Sequence, residues 1–190
     1  MTYRSSRGFR LSPIQLLIGI NLLLFIATVI KPELRFLLGL QPAIFLERPW
    51  TIVTNLFVHS SIGHILTNMI TLYFFGTFLS RLIGDRKFLI IYFLGGIVGN
   101  IFYILLGSPF SIAIGASGAV FALGGVLTVM TPRLRVLIFL LVPLPLWAAV
   151  IGGFLILSLF PRVAWQAHLG GLVLGLIAGY LLRKRRYPLF

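Results

Sequence analysis

The sequence has no cysteine and very few acidic residues. Among its 190 residues only three are Asp or Glu, and three are His. Without cysteine the chain cannot form a disulfide scaffold, a thiolate metal site or a cysteine nucleophile. Charged residues make up 10% of the chain and hydrophobic residues 59%, whereas about a quarter of a soluble domain is charged. This composition excludes an ordinary soluble domain and a disordered segment, and it indicates an integral membrane protein.

The apolar residues fall into six runs that predict six membrane helices, since a span needs roughly 20 residues. The predicted spans are residues 11–30, 63–80, 88–106, 117–130, 145–160 and 165–182. They predict one all-α membrane domain over residues 1–190, with no room for a second, soluble domain. The first run has no small-residue cleavage site before Lys31, so we interpret it as an uncleaved span and not as a signal peptide.

The fourth predicted span is too short to cross a bilayer by itself. As a helix it extends only about 21 Å at 1.5 Å per residue, whereas the hydrocarbon core is about 30 Å thick. We therefore expect a short central helix that begins below the membrane surface. The stretch 31–62 is too polar to span, so it is predicted to lie in the membrane interface with Trp50 as an anchor. The segment 136–142 is expected to dip into the membrane as an interfacial segment.

The basic residues predict the orientation of the spans. Six spans put both termini on one side, and that side then carries twelve Lys and Arg against four on the other. The twelve are Arg4, Arg7, Arg10, Arg81, Arg86, Lys87, Arg133, Arg135, Arg183, Lys184, Arg185 and Arg186. The positive-inside rule therefore predicts that both termini are cytoplasmic. It explains the net charge of +13 without nucleic acid as a partner.

None of the three acidic residues falls within a predicted span. Glu33 and Glu47 lie in the first loop and Asp85 in an inner loop. An aspartyl intramembrane protease needs two intramembrane aspartates and a carboxylate-driven proton pump needs at least one, so both are excluded. A zinc protease with a His-Glu-x-x-His motif is excluded too, because His59 and His64 are five residues apart with no Glu between them. No metal or cofactor is predicted.

A serine and a histidine stand near the predicted outer ends of two spans. Ser117, in the sequence Gly-Ala-Ser-Gly at 115–118, begins the short helix, where free N–H groups and the helix dipole favour negative charge. His168 shares a helix face with Gly171 and Gly175, whose spacing permits a second helix to pack closely. Each residue also has a purely structural interpretation: Ser117 as a helix N-cap and His168 as an interhelical hydrogen-bonding group.

Two further polar residues lie at the outer end of the second span. His64 and Asn68 are four residues apart and therefore share one helix face. A polar contact between helices is their structural alternative, and His59, in the preceding loop, is interpreted as structural. The predicted orientation brings Ser117, His168, His64 and Asn68 together in the outer third of the membrane. A hydroxyl, a base and two hydrogen-bond donors are the groups that acyl transfer requires, here as a Ser–His dyad without an acid.

Taken together, these motifs resemble the rhomboid family of intramembrane serine proteases, over nearly the whole chain. The motifs are Trp50 and Thr54, His59 followed by His64-x-x-x-Asn68, Gly115-Ala116-Ser117-Gly118, Pro143-Leu144-Pro145-Leu146-Trp147, and Ala167-His168-x-x-Gly171-x-x-x-Gly175. Two positions depart from the family pattern. Thr51 stands where an arginine commonly follows the tryptophan, and Ser80 stands near a commonly acidic position. Both departures concern support for the first loop and helix packing rather than the chemistry.

The resemblance implies a role for each candidate residue. Ser117 would be the nucleophile and His168 the base. The oxyanion would be stabilised by His64, Asn68, the backbone N–H of Ser117, and Gly118. Structural support would come from His59, Trp50, Gly171 and Gly175.

The sequence therefore predicts an intramembrane serine endopeptidase that cuts peptide bonds in or near transmembrane segments of membrane proteins. The fold expected from the resemblance is a six-helix, rhomboid-like bundle. The expected location is a prokaryotic plasma membrane, with the active site toward the extracytoplasmic side. Two alternatives remain open at this point: a catalytically silent relative that binds membrane proteins, and a small transporter or channel that uses the histidines as a proton path.

Overall fold

The structure is a helical bundle with one short β-hairpin. It is a computed structural model that describes residues 11–138, 142–161 and 163–186. The helices are α1 (Pro13–Ile30), α2 (Leu34–Leu38), α3 (Thr51–Thr54), α4 (Ile62–Ile83), α5 (Asp85–Leu106), α6 (Ser117–Met130), α7 (Leu146–Ser158) and α8 (Trp165–Arg186). Short 3-10 turns cover Pro42–Ile44 and Asn55–Phe57, and the hairpin is formed by β1 (Arg135–Ile138) and β2 (Val142–Pro145).

Four of these helices, α1, α4, α5 and α8, are long and apolar enough to cross a bilayer. They make the chain a multi-pass membrane protein. The helices α6 and α7 are apolar but shorter, so the predicted count of six spans stays a prediction. Of the basic residues that predict the orientation, Arg4, Arg7, Arg10 and Arg162 lie outside the described residues.

The central position predicted for the fourth span follows from its burial. Nine of the 14 residues of α6 are buried, and they lie on all sides of the helix. A helix that is apolar all round is surrounded by protein, and α6 packs against α4, α5, α7 and α8. By contrast, α1 exposes large apolar side chains such as Leu23 and Ile30, as expected of a helix that faces lipid.

The segment between α6 and α7, for which only an interfacial location was predicted, contains a β-hairpin. Residues of β1 and β2 pair in an antiparallel hairpin, with Arg135 opposite Pro145 and Ile138 opposite Val142. Pro143 and Pro145 exclude a helix here because proline lacks the N–H that a helix interior needs, whereas an edge strand tolerates proline. The predicted all-α class is therefore correct for the bundle, and this hairpin is the one sheet within the described ranges.

Glycines let α8 approach α6 and α5 at backbone distance. A Cβ at Gly171 would overlap the carbonyl oxygen of Gly118, and a Cβ at Gly175 would overlap that of Ala122. On the other side of α8, a Cβ at Gly99 of α5 would lie 2.5 Å from the carbonyl oxygen of Ala167. Small residues serve this purpose in membranes, where helix association depends on van der Waals contact rather than on the hydrophobic effect.

The first loop folds over the segment that leads into α6. Leu40 and Ala113 exchange backbone hydrogen bonds of 2.9 and 2.8 Å, and both side chains are buried. Within the loop, Trp50 Nε1 donates to the Leu37 carbonyl at 3.1 Å and Thr54 Oγ1 donates to the Leu38 carbonyl at 2.8 Å. Trp50 thus ties α3 to α2 while its ring stays half exposed.

Both departures from the family pattern have local partners. Thr51 is buried, and its hydroxyl donates to the Arg48 carbonyl at 2.6 Å, which closes the turn that begins α3. The Ser80 hydroxyl donates to Asp85 across the junction of α4 and α5. The chain therefore places an acidic group beside Ser80 from the next helix instead of at position 80.

Gly171→Ala should destabilise the protein, because the new methyl group would push α8 away from α6. Over-packing of this kind costs about 1–3 kcal/mol. Gly152→Ala in α7 is the matched control, since nothing lies within 4 Å of a Cβ there and a helix favours Ala over Gly by about 1 kcal/mol. Circular dichroism in detergent would measure both melting temperatures. Equal values for the two variants would contradict the backbone-close packing.

Candidate active site

A tight turn places Ser117 at the first position of α6. Gly115 has φ +123°, a conformation that only glycine adopts without strain. Its N–H donates to the Asn55 carbonyl at 2.9 Å, and a Cβ at this position would lie 2.7 Å from His64 Nε2. Position 115 thus requires glycine for two reasons: the positive φ of the backbone and the lack of space for a side chain.

Ser117 and His168 are hydrogen-bonded to each other. Ser117 Oγ lies 2.7 Å from His168 Nε2. His168 is in the first turn of α8 and is buried, whereas Ser117 is half-buried. The two helices come this close because Gly118 faces the carbonyl oxygen of Ala167, only 3.2 Å from where a Cβ would stand. A neutral imidazole that accepts from the Ser117 hydroxyl at Nε2 carries its proton on Nδ1.

Aromatic packing orients the imidazole of His168. Its ring stacks on Phe121 with centroids 4.7 Å apart and an angle of 31° between the planes. Phe121 lies four residues after Ser117 and therefore on the same face of α6. His168 Nδ1 is buried and has no hydrogen-bond partner among the described residues. Among the described residues, the polar partner that His168 has is Ser117.

His64 faces the turn that carries Ser117. Its Nδ1 lies 3.1 Å from Ser60 Oγ, while its Nε2 lies against Gly115. When Nδ1 accepts a hydrogen bond from the Ser60 hydroxyl, the proton of the neutral imidazole is on Nε2. Nε2 is then a hydrogen-bond donor on the Ser117 side. The Ser61 hydroxyl accepts from the His64 N–H at 3.2 Å and so caps α4. This cap fixes where α4 begins and therefore where His64 lies.

Asn68 lies one helical turn beyond His64 and is buried. Its Nδ2 donates to the His64 carbonyl at 2.9 Å, so one of its two N–H groups is used within α4. Its second amide N–H and its amide oxygen have no hydrogen-bond partner among the described residues. The structure thus brings Asn68 close to His64, and within the described part of the chain its side chain makes no hydrogen bond to Ser117.

Backbone N–H groups at the start of α6 lie outside its hydrogen-bond ladder. The hydrogen-bond ladder of α6 begins with the Val120 N–H, which donates to the Ala116 carbonyl at 3.0 Å. The N–H groups of Ser117 and Gly118 precede this bond, as do the first N–H groups of any helix. They lie at the positive end of the helix dipole, where a developing negative charge is favoured.

His59 lies beneath the active-site turn and is fully buried. Its Nε2 accepts from the Ala116 N–H at 3.5 Å, and its ring meets the edge of the His64 ring with centroids 4.9 Å apart. Burial, and to a lesser degree the proximity of His64, lowers the pKa of the His59 imidazole. A neutral imidazole can accept the Ala116 bond, so His59 supports the residue that precedes Ser117.

Sequence reasoning missed two contributors to this site, Phe121 and the Asn55 carbonyl, and the partner of a third, His59. Phe121 had a usable signal, since its spacing of four from Ser117 places it on the same helix face. The Asn55 carbonyl had none, because any residue type carries a carbonyl group. The bond from Ala116 to His59 depends on how the first loop folds back over α6, which no local pattern encodes.

Comparison with known proteins adds a family assignment to this geometry. The family model described as the Rhomboid domain matches residues 46–185. The chain is 32% identical over 161 residues to "RHOMBOID-like protein 12, mitochondrial" of Arabidopsis thaliana, covering 72% of this chain and 47% of the relative. It is 28% identical over 184 residues to "Rhomboid protein 1, mitochondrial" of Saccharomyces cerevisiae, covering 88% and 52%.

A bacterial relative is matched over more of its own length. The "Putative rhomboid protease YdcA" of Bacillus subtilis is 29% identical over 152 residues, which cover 73% of this chain and 71% of the relative. The chain spans about half the length of the two mitochondrial relatives. The activity and substrates of those longer proteins are therefore carried over to this chain only as proposals.

His59→Ala should lower the melting temperature, because it leaves the buried Ala116 N–H without its acceptor. An unsatisfied buried donor costs about 1–3 kcal/mol, and the vacated space adds to this loss. His64→Ala is the comparison, since the half-buried His64 leaves its backbone cap intact when truncated. Thermal unfolding in detergent would measure both. A smaller loss for His59→Ala than for His64→Ala would show that His59 does not support the turn.

Proposed function

This chain belongs to the rhomboid family, and on that basis we propose that it is an intramembrane serine endopeptidase that cuts transmembrane proteins. The observation that carries this proposal is the 2.7 Å contact between Ser117 Oγ and His168 Nε2. A serine hydroxyl hydrogen-bonded to an imidazole is the arrangement that activates a serine nucleophile. The name of the Bacillus subtilis relative, a putative rhomboid protease, supports the same class of activity.

In the proposed first step, Ser117 Oγ attacks the carbonyl carbon of a peptide bond while its proton passes to His168 Nε2. The imidazolium then gives this proton to the leaving nitrogen, so that the C–N bond breaks and an acyl group stays on Ser117. A water molecule adds to the acyl carbon and loses a proton to Nε2. That proton returns to Oγ as the acid product departs. No metal or cofactor is needed in this sequence.

The negative oxygen of each tetrahedral intermediate needs hydrogen-bond donors. In our proposal the backbone N–H groups of Ser117 and Gly118 supply the fixed donors at the start of α6. His64 Nε2, which lies against Gly115, adds a side-chain donor from α4. Asn68 contributes its free amide N–H, and its bond to the His64 carbonyl holds that turn of α4 in place.

The membrane arrangement forms part of the proposal. We propose that α6 and α7 complete six spans, with both termini in the cytoplasm because twelve basic residues then face inward and four outward. Ser117, His168 and His64 would then lie toward the extracytoplasmic side. Ser117 is only half-buried. In the proposed arrangement water therefore reaches Ser117 at the start of a short helix that begins below the membrane surface. The proposed location is the plasma membrane of a prokaryote.

Ser117→Ala and His168→Ala should each abolish cleavage of a transmembrane substrate by the purified protein. Removing one member of such a unit costs about 10⁴–10⁶ in kcat, and the double variant should be little worse because both residues serve one step. A fluorophosphonate should label the wild-type protein and not Ser117→Ala. Ser158→Ala is the matched control, since its hydroxyl only bonds the Phe154 carbonyl within α7. Substantial cleavage by Ser117→Ala would refute the proposed nucleophile, whereas a wild-type protein that neither cleaves nor is labelled would favour a silent or transporting relative.

His64→Ala and Asn68→Ala should lower kcat and leave KM almost unchanged, because oxyanion contacts strengthen only in the transition state. Losing one such donor costs about 10²–10³ in kcat, and the remaining donors can reduce this loss to partial activity. Steady-state kinetics on the same substrate measures both constants. Full kcat in both folded variants would assign oxyanion stabilisation to the backbone N–H groups alone.

A further inference from the structure

Two buried asparagines from distant parts of the chain form a reciprocal pair. Asn55 Nδ2 donates to Asn100 Oδ1 at 2.9 Å, and Asn100 Nδ2 donates to Asn55 Oδ1 at 2.8 Å. Asn55 begins the 3-10 turn after α3, whereas Asn100 lies in the second half of α5. Both side chains are almost completely buried, at 1% and 2% exposure. Two amides that satisfy each other in this way join the first loop to a membrane helix.

The first of these asparagines is connected directly to the active-site turn. The Asn55 carbonyl accepts the Gly115 N–H at 2.9 Å. Gly115 holds the positive φ that starts the turn, it lies against His64 Nε2, and it precedes Ser117 by two residues. A displacement of the Asn55 backbone would therefore move the nucleophile relative to its proposed oxyanion donors.

The second asparagine is connected to the helix that carries the base. Asn100 Nδ2 also donates to the Ile52 carbonyl at 2.8 Å, so its amide holds α3 as well as Asn55. Its neighbour Gly99 packs against the Ala167 carbonyl, and Ala167 directly precedes His168. The same short segment of α5 thus contacts the loop behind Ser117 and the turn that holds His168.

We infer that Asn55 and Asn100 are positioning residues that hold the Ser117 turn in register with His168 and His64. The inference rests on the proposed function and adds to it a pair of residues that touches neither substrate nor reacting atoms. Two hydrogen bonds join the planar amides to each other, and a third joins Asn100 to the Ile52 carbonyl. Together they fix the relative orientation of the two segments as well as the distance between them. An apolar contact of the same volume would fill the space without defining the register.

The physical scale of the effect follows from the geometry that catalysis needs. A displacement of about 1 Å at a reacting group can reduce the rate about a hundredfold, even when the change is far from the chemistry. Removing a single asparagine would also leave its partner unsatisfied in a buried site, which lowers stability. Replacing both by apolar residues of similar size avoids that penalty within the amide pair, and it leaves only the part-buried Ile52 carbonyl without its donor. The double replacement therefore tests the alignment of the Ser117 turn with His168 separately from the stability of the protein.

The experiment compares the wild-type protein with the double variant Asn55→Leu/Asn100→Leu in detergent. We expect kcat to fall about tenfold to a hundredfold, with KM almost unchanged. The melting temperature should fall only slightly, through the loss of the single bond to the Ile52 carbonyl. The rate at which a fluorophosphonate labels Ser117 should fall in parallel, because labelling depends on the same alignment of Ser117 with His168. A merely structural role would change the melting temperature and leave both rates intact.

Asn21→Leu provides a matched control. Asn21 is fully buried in α1, and its Nδ2 donates to the Leu17 carbonyl within the same helix at 2.8 Å. It should change stability without changing kcat or the labelling rate. If the double variant does not fold, Asn100→Ala is measured instead on its folded fraction after size-exclusion chromatography, with the same loss expected in both rates.

The outcomes are distinguishable. A folded double variant, or a folded Asn100→Ala, with wild-type kcat and labelling rate would overturn the inference and leave the proposed function intact. An equal loss of both rates in Asn21→Leu would overturn it as well, since any buried asparagine would then have the same effect. A wild-type protein that neither cleaves a substrate nor reacts with the fluorophosphonate would overturn the proposed function and this inference together.

Discussion

The close approach of α8 to α6 is the constraint on which the candidate site depends. At Gly118 and Gly171 the two backbones are nearly in contact, so no side chain separates the first turn of α8 from the first turn of α6. This proximity brings His168 Nε2 to 2.7 Å from Ser117 Oγ and the imidazole onto Phe121. In a lipid environment such packing takes the place of the hydrophobic effect, so stability and site geometry have the same origin.

Much of this arrangement is encoded locally and could be predicted from the sequence. The bounds of α6 agree with the predicted residues 117–130, because a glycine-containing loop precedes this apolar run and Pro132 follows it. The spacing of Gly171 and Gly175 predicted which face of α8 turns inward. The predicted orientation of the spans placed Ser117, His64 and His168 at the same end of the bundle. Each prediction depends on periodicity or composition within a single segment.

The rest depends on contacts between segments far apart in the chain. The bond from Ala116 to His59 joins residues 57 positions apart, and the Asn55–Asn100 pair joins residues 45 positions apart. Neither asparagine lies in a recognisable motif, and a carbonyl such as that of Asn55 has no signature in the sequence. The hairpin of β1 and β2 was missed because Pro143 and Pro145 indicate where a helix cannot form, without indicating which strand would pair with which.

The stacking of His168 on Phe121 has an electrostatic consequence for the proposed reaction. During catalysis the imidazole would carry a full positive charge for the lifetime of each tetrahedral intermediate. No carboxylate group contacts this ring among the described residues, but the face of an aromatic ring lies 4.7 Å away. The quadrupole of such a face attracts a cation by about 0.5–2 kcal/mol, less than a buried counter-ion would. Because the attraction is weak, the protonated His168 would readily transfer its proton to the leaving nitrogen. The Phe121 ring would thus stabilise the imidazolium without hindering this transfer.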